Sequence, residues 1–295
     1  MAHVVSLHRY PVKGFEGETL DSVSLVCGAG VPGDRVVGIT RGGIAKGSAP
    51  FHQLTTNPSL VHYRPGRQLT ALTLHERAAD ARPDLFSDPA RLRELFGEQA
   101  SVIKREDRLG HWDFDDSMLS IINMATVEAL AAKMGVPVDP MRFRGNIYIE
   151  AEPFSEFGWL GRGVQFGDTC LSIIRPIKRC SATSVNPMTG ELDMNTPAQL
   201  NRHFGHMYCG VYAQVEHGGD LADRIGMVDI VLPPDAGDRS SSVNRVERPF
   251  ARGCARMSGA RSSKRLLKST VAAAAAGAVV LAPLTPLYAQ EGGAA

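Results

Sequence analysis

The chain has 295 residues, 43% of them hydrophobic, enough to bury one substantial core or two smaller ones, which excludes a mainly disordered protein. The net charge of +1 conceals a division: residues 1–238 hold 23 Lys and Arg against 29 Asp and Glu, a net of −6, whereas residues 239–295 hold 9 against 2, a net of +7. The body therefore lacks the basic face that binding to a phosphate backbone requires, and no nucleic-acid partner is expected.

In chain order, the first hundred residues read as short strands at 3–7, 19–25 and 35–39, where β-branched or alternating apolar residues are bounded by Gly, Pro or Asp. A helix is predicted over 88–96, with Asp88 as its cap, Pro89 in the first turn and Gly97 at the stop. A second helix is predicted over 126–134, opened by Thr126 or Ala125 and closed by Gly135 and Pro137, with Val127, Leu130, Ala131 and Met134 on one face. Strands return at 146–150, 164–166, 170–175, 209–216 and 228–232, with Gly167-Asp168 and Gly218-Gly219 as tight turns. Closely spaced strands with few helices predict a mainly β (α+β) fold of barrel type.

Residues 239–256 read as a solvated, Arg-rich linker. Beyond them, the basic Arg261, Lys264, Arg265 and Lys268, the apolar run 271–281 and the small-residue ending reproduce the layout of a secretory signal peptide at the wrong end of a chain. The favoured reading is the start of a neighbouring reading frame joined to this one. The alternative is a membrane anchor, for which 271–287 is short and interrupted by Pro283 and Pro286. The expected organisation is an N-terminal domain over 1–108, a second over 109–236, and a tail over 237–295 outside the fold.

The five cysteines form no C-x-x-C pair and suggest neither a disulfide framework nor a zinc knuckle. Free thiols and a start without signal-peptide character make the cytoplasm the expected location. Cys27, Cys170 and Cys209 lie in apolar runs and read as buried; Cys180 follows Arg175, Lys178 and Arg179 on a loop leaving a strand, where local positive charge favours a thiolate.

Three further clusters carry chemistry. Tyr10-Pro11-Val12-Lys13-Gly14 places Lys13 on a turn, and Gly30-Val31-Pro32-Gly33-Asp34-Arg35 builds a rigid turn beneath Arg35, whose planar fork suits phosphate unless it simply pairs with Asp34. In Met141-Arg142-Phe143-Arg144-Gly145-Asn146, strand alternation would put Arg142 and Arg144 on one face beside an amide. No G-x-S-x-G, P-loop, G-x-G-x-x-G or H-E-x-x-H spacing is present, so hydrolase and nucleotide-transfer chemistries lack their parts.

Together, Tyr10-Pro11-Val12-Lys13-Gly14, Pro32-Gly33-Asp34-Arg35, Phe143-Arg144-Gly145-Asn146 and the run from Arg179-Cys180-Ser181 to Met188-Thr189-Gly190 resemble the MOSC family, named for the C-terminal domain of molybdenum-cofactor sulfurases. The resemblance covers nearly all of residues 1–236. It is to the branch that contains the mitochondrial amidoxime-reducing component and bacterial relatives. It implies a MOSC β-barrel domain packed against an N-terminal β-barrel domain, with a molybdenum-pterin cofactor in the cleft between them. Cys180 would be the catalytic residue and metal ligand, and Lys13, Arg35, Arg144 and Asn146 would surround the pterin and its phosphate. Thr126 matches a hydroxyl position that contacts the same cofactor, and Arg142 extends the cationic face. Gly145 stands where proline is common, which would loosen that turn. The implied activity is two-electron, oxygen-atom reduction of N-hydroxylated or related small molecules, fed by a separate ferredoxin- or flavin-type donor protein, with a membrane partner only if the tail is a genuine anchor. The alternative is a carrier of the cofactor or of a persulfide on Cys180. Asp113, Asp115, Asp116, Trp112 and Trp159 are candidates for the pocket mouth.

Overall fold

The computed structural model describes residues 2–42, 51–66, 74–76, 84–105, 110–114, 116, 118–222 and 226–231. The predicted tail and Asp115 lie outside these. Residues 1–255 form one compact unit, and 256–295 form a second that falls wholly outside the described residues.

The strands are β1 (His3–Arg9), β2 (Glu18–Leu20), β3 (Ser22–Leu25), β4 (Val37–Ile39), β5 (Tyr63–Pro65), β6 (Leu74–Glu76), β7 (Val102–Lys104), β8 (Leu119–Asn123), β9 (Ile147–Glu150), β10 (Gly163–Phe166), β11 (Thr169–Lys178), β12 (Tyr208–His217), β13 (Gly219–Ala222) and β14 (Met227–Val231). The α-helices are α1 (Pro89–Phe96), α2 (Met124–Met134) and α3 (Thr196–Phe204). The fold is thus mainly β with few helices, as predicted. One eight-stranded sheet, in the order β14-β10-β11-β12-β8-β9-β1-β2, curls into a half-barrel. The first two strands of the chain lie in this sheet beside β9, while β3 pairs β13, β4 pairs β7 and β5 pairs β6 in separate ladders.

Local chemistry explains several elements. Phe166 pairs with Thr169 across Gly167-Asp168, and Gly167 at φ +56° supplies the backbone conformation such a two-residue turn requires. Asp88 caps α1 through Arg91 N, with Pro89 at the first position, as predicted. By contrast, α2 opens at Asn123, whose side chain accepts from Ala125 N, so Thr126 lies inside the helix rather than at its mouth. Gly218-Gly219 is not a simple reversal either, because Gly219 begins β13 and pairs with Leu25.

Six elements went unpredicted, the strands β5, β6, β7, β8 and β13 and the helix α3, and β8 and α3 show why. In β8 every residue is buried, so the apolar and polar alternation that marks a half-exposed strand is missing. It runs parallel to β9, and α2 makes the crossover that a parallel pair needs. Helix α3 carried its signals openly, with Asn195 capping Ala198 N, Pro197 in the first turn and Gly205 at the stop.

Three buried clusters result. One joins β1, β3 and the large sheet through residues such as Leu7, Ile147, Leu171 and Val211, and it also takes in Trp159. The second, around Phe15, Val37, Ile39, Leu60 and Phe96, belongs almost wholly to the first hundred residues. The third packs α2 and α3 on Ile122, Tyr148 and Ile177. No helix among the described residues is long and apolar enough to cross a membrane.

His8 on β1 is 8% exposed, bonds Ser6 Oγ at 3.0 Å and meets the Tyr148 ring edge-on at 5.0 Å. Burial lowers its pKa from 6.5 to about 4. The unfolded chain therefore binds this proton first: the stability is complete above pH 6.5 and is lost progressively as pH falls to about 4, by roughly 3 kcal/mol in all. Urea midpoints for the wild type and His8→Asn between pH 7 and 4.5 should show the wild type losing more; parallel pH curves would refute this.

Candidate functional site

The site begins where β1 ends. Val12 is buried in the second core while Lys13, the next residue, turns to the opposite side, and Gly14 at φ +86° has no room for a Cβ, which would stand 2.6 Å from Leu60 Cδ1. Lys13 Nζ donates to His111 O at 2.8 Å and to Asp113 Oδ1 at 2.6 Å.

Arg35 is fixed from three sides. Its amide donates to Tyr10 O at 2.7 Å, its Nη1 pairs with Asp34, and its Nη2 donates to Arg144 O at 3.1 Å. Asp34 is buried and also accepts from Tyr10 N at 2.8 Å. The local pairing of Asp34 with Arg35 is therefore real, and it aims the guanidinium rather than removing it. Burial pushes the Arg35 pKa down, but Asp34 more than offsets this and leaves it raised.

Arg142 and Arg144 do not alternate along a strand as predicted. Asp139 accepts from Met141 N and Pro140 follows it, so residues Pro140–Phe143 wind into a 3₁₀ turn that Arg144 ends in the left-handed region at φ +50°. Arg142 is 4% exposed and donates to Ser184 O at 3.2 Å and to Asp193 Oδ2 at 2.8 Å. The Arg144 guanidinium lies 4.2 Å from the centre of the Tyr10 ring, which Arg35 also approaches at 5.0 Å. No carboxylate among the described residues pairs with Arg144; its Nη2 is buried without a hydrogen-bond partner, as is Arg142 Nε. Burial, with Arg35 adding to it, lowers the Arg144 pKa to about 10.

Gly145 does not loosen this turn. Its amide donates to Tyr148 Oη at 3.0 Å, Tyr148 donates on to Pro140 O at 3.1 Å, and a Cβ at Gly145 would stand 2.4 Å from Ile122 Cγ1. A proline has no such N–H to give.

Cys180 leaves the end of β11 and opens the 3₁₀ turn Ser181–Ser184, where Thr183 donates to its carbonyl through both N and Oγ1. It is a free, exposed cysteine. Cys209 is buried as predicted, Cys170 is half-buried, and Cys27 is exposed and not among the free cysteines, which corrects its reading as a buried thiol. Of the basic residues before Cys180, Lys178 is exposed and lines the same cleft, while the two arginines are spent elsewhere. Arg175 grips Asp116 with two bonds of 2.8 and 2.7 Å, and Arg179 is buried, donating to Cys209 O and to Phe143 O.

Arg179, which was not proposed as a site residue, thereby ties β12, the Arg144 turn and the Cys180 loop together. A lone Arg before a cysteine carries no sequence signal of that role, because its partners are backbone carbonyls 30 and 36 residues away. Asp193 and Tyr212 were likewise missed.

These side chains meet at a cleft of about 410 Å³ at the junction of the second and third cores. Lys13, Arg35, Arg142, Arg144, Lys178, Arg179 and Cys180 line it, with Trp112, Asp113 and Phe114 on one wall. Among the described lining residues, six cations thus face a single carboxylate, Asp113. Burial pushes the Asp113 carboxyl up, but Lys13, Arg35 and Arg144 prevail and hold it below its ordinary value.

The sequence model of the MOSC domain family matches residues 97–227. The chain carries a MOSC domain. The match takes in Arg142, Arg144 and Cys180, while Lys13 and Arg35 reach the cleft from outside the matched span. The family is associated with molybdenum-cofactor binding. Solved structures that this chain resembles include the YuaD protein from Bacillus subtilis, at 15% identity over 76% of this chain and 92% of that one, with a TM-score of 0.40. YiiM from Geobacillus stearothermophilus matches at 17% identity over 40% of this chain and 55% of that one, with a TM-score of 0.31. YiiM from Escherichia coli matches at 17% over 40% and 59%, with a TM-score of 0.30. A search of the curated proteins finds no significant match.

Two predicted site residues of this MOSC domain stay out of the cleft. Asn146 is buried, with Oδ1 accepting from Ser120 N and Oγ and Nδ2 donating to His8 O, so it supports the cleft-lining Ser120 from behind. Thr126 is fully buried, donating to Glu156 and accepting from Phe154 N at 2.8 Å. Burial raises the Glu156 pKa despite its bonds from Asn123 and Thr126. Trp159 belongs to the core and Asp116 to Arg175.

The residues present fit an anionic group that carries a soft metal. The unpartnered Arg144 Nη2 and Arg142 Nε call for acceptors, and Cys180 offers sulfur. Among the described residues no group of three or more His, Cys, Asp or Glu is placed to hold a metal ion.

Proposed function

We propose that the cleft holds a molybdenum-pterin cofactor with Cys180 Sγ as the protein's metal ligand, and that the protein is an oxidoreductase for N-hydroxylated or related small molecules. The observation that carries this reading is the pairing, in one cleft, of an exposed free cysteine with a half-buried Arg144 whose Nη2 is buried without a partner and which meets no carboxylate among the described residues. A desolvated cation of this kind is costly unless an anion joins it, so the site is pre-organised for a phosphate or a comparably charged group.

Bound there, the cofactor would supply the two-electron and oxygen-atom chemistry. The chain's own residues bind and orient. Arg35, aimed by Asp34, and Arg144, held over Tyr10, present donors to the anionic pterin end, with Lys13 and Arg142 beside them. Arg179 holds the Cys180 loop against the Arg144 turn, which fixes sulfur and guanidinium relative to each other. Asn146 and Thr126 act one layer back, through Ser120 and Glu156. Electrons would come from a separate ferredoxin- or flavin-type protein.

The exposure of Cys180 favours one second reading, a carrier presenting a persulfide or the cofactor to a partner. Elemental and pterin analysis of protein purified from a host that makes the cofactor decides. Near-stoichiometric molybdenum with pterin is expected; sulfane sulfur without metal would turn the assignment to the carrier, and neither would defeat both.

A further inference from the structure

Lys13 is already satisfied by its own chain. Its ammonium, 12% exposed, takes Asp113 Oδ1 at 2.6 Å and His111 O at 2.8 Å, oxygens that lie 100 and 98 residues away. Asp113 is the one carboxylate among the described residues that line the cleft, and its side chain is 61% exposed, open to exchange with solvent and solutes. Arg35 and Arg144 face it electrostatically as well. The other acids nearby differ. Asp34 is buried beneath Arg35, and Asp116 is held by two bonds to Arg175, whose guanidinium lies 4.7 Å from the centres of both the Phe114 and Tyr212 rings. Asp193 also pairs with a cleft cation, Arg142, but Asn186 Nδ2 holds it as well and its side chain is 33% exposed against 61% for Asp113, so among the described residues Asp113 holds its cleft cation from the more open position.

We infer that Asp113 is a built-in competitor for the anionic end of the ligand, sitting on Lys13 until that end displaces it. The inference rests on the reading of the cleft as an anion site and adds a residue that sets its affinity. A tethered carboxylate competes at an effective concentration that its chain fixes, so every anion that uses Lys13 must first break this pair. For a largely exposed carboxylate the handicap is modest.

Inorganic phosphate serves as the probe, titrated calorimetrically and through tryptophan fluorescence, since Trp112 lies next to Asp113 and Trp159, the other of the two tryptophans, is buried in the core. Asp113→Asn should bind phosphate roughly 2- to 5-fold more tightly than the wild type. The gain should vanish in a Lys13→Met background, where the competitor has nothing to hold. Phosphate should also change Trp112 emission in the wild type more than in Asp113→Asn. Equal affinity of Asp113→Asn and wild type, with Arg144→Met still weakened, would overturn the competitor while leaving the anion site standing. A gain that persists in Lys13→Met would overturn it too, reducing Asp113 to a general repulsive charge. Absence of phosphate binding in every variant would sink both this inference and the reading beneath it. Asp113→Ser serves as the second variant and should repeat the result.

Discussion

Cys180→Ser is expected to reduce molybdenum retained through purification to under about a tenth of the wild-type content and to abolish reductase turnover, because a serine hydroxyl stays protonated at neutral pH and is a hard, weak ligand where a soft thiolate is needed. Neither of the other two free cysteines among the described residues can take its place. Burial pushes the Cys209 thiol up to about 12, and burial with the nearby Glu216 raises that of Cys170, so neither offers a thiolate. The fold should be indifferent, since the Cys180 side chain is exposed and the turn is held by its carbonyl, which Thr183 bonds whatever side chain is present. Plasma emission analysis and a reductase assay on wild type and variant, with thermal melting as the control, read this directly. A variant that keeps its molybdenum and its turnover would remove Cys180 from the centre of the site.

Arg144→Met should separate stability from binding. Arg144 is half-buried with its Nη2 cut off from solvent, meets no carboxylate among the described residues, and has its pKa lowered by burial to about 10, so its charge costs the empty protein about 3 kcal/mol. Methionine of similar length should recover part of that, as replacement of buried charge by apolar side chains commonly does, and the empty variant should melt a few degrees higher than the wild type. The same change should weaken phosphate binding by roughly 30-fold or more, the loss expected when a buried, hydrogen-bonded charge contact is truncated. A surface arginine would show neither effect and a purely structural one would lower the melting temperature. A variant that melts lower and binds phosphate undiminished would place Arg144 among the structural residues.

Both predictions show how the site was only half legible in the linear chain. The residue types at Lys13, Arg35, Arg144 and Cys180 stood out because turn chemistry is local: Gly14, the Pro32 to Asp34 turn and the Pro140 turn are written in neighbouring residues. Thr126 and Asn146 stood out equally, yet they face Glu156 and Ser120 inside the protein. Nothing in a short motif distinguishes a polar side chain turned to a cleft from one turned to a buried partner 26 or 30 residues away.

The sequence by itself determined the mainly β architecture, most strand and helix ends, and the presence of an unusual cysteine among polar neighbours, since these depend on periodicity and capping over a few residues. Only the tertiary structure decided which charges remain unspent. Lys13 meets Asp113, Arg142 meets Asp193 and Arg175 meets Asp116 across separations of 100, 51 and 59 residues. Among the described residues no carboxylate meets Arg144, whose Nη2 is buried without a partner. Pairing and desolvation are properties of distance in space, and they set the energy of a charge far more strongly than its neighbours along the chain do.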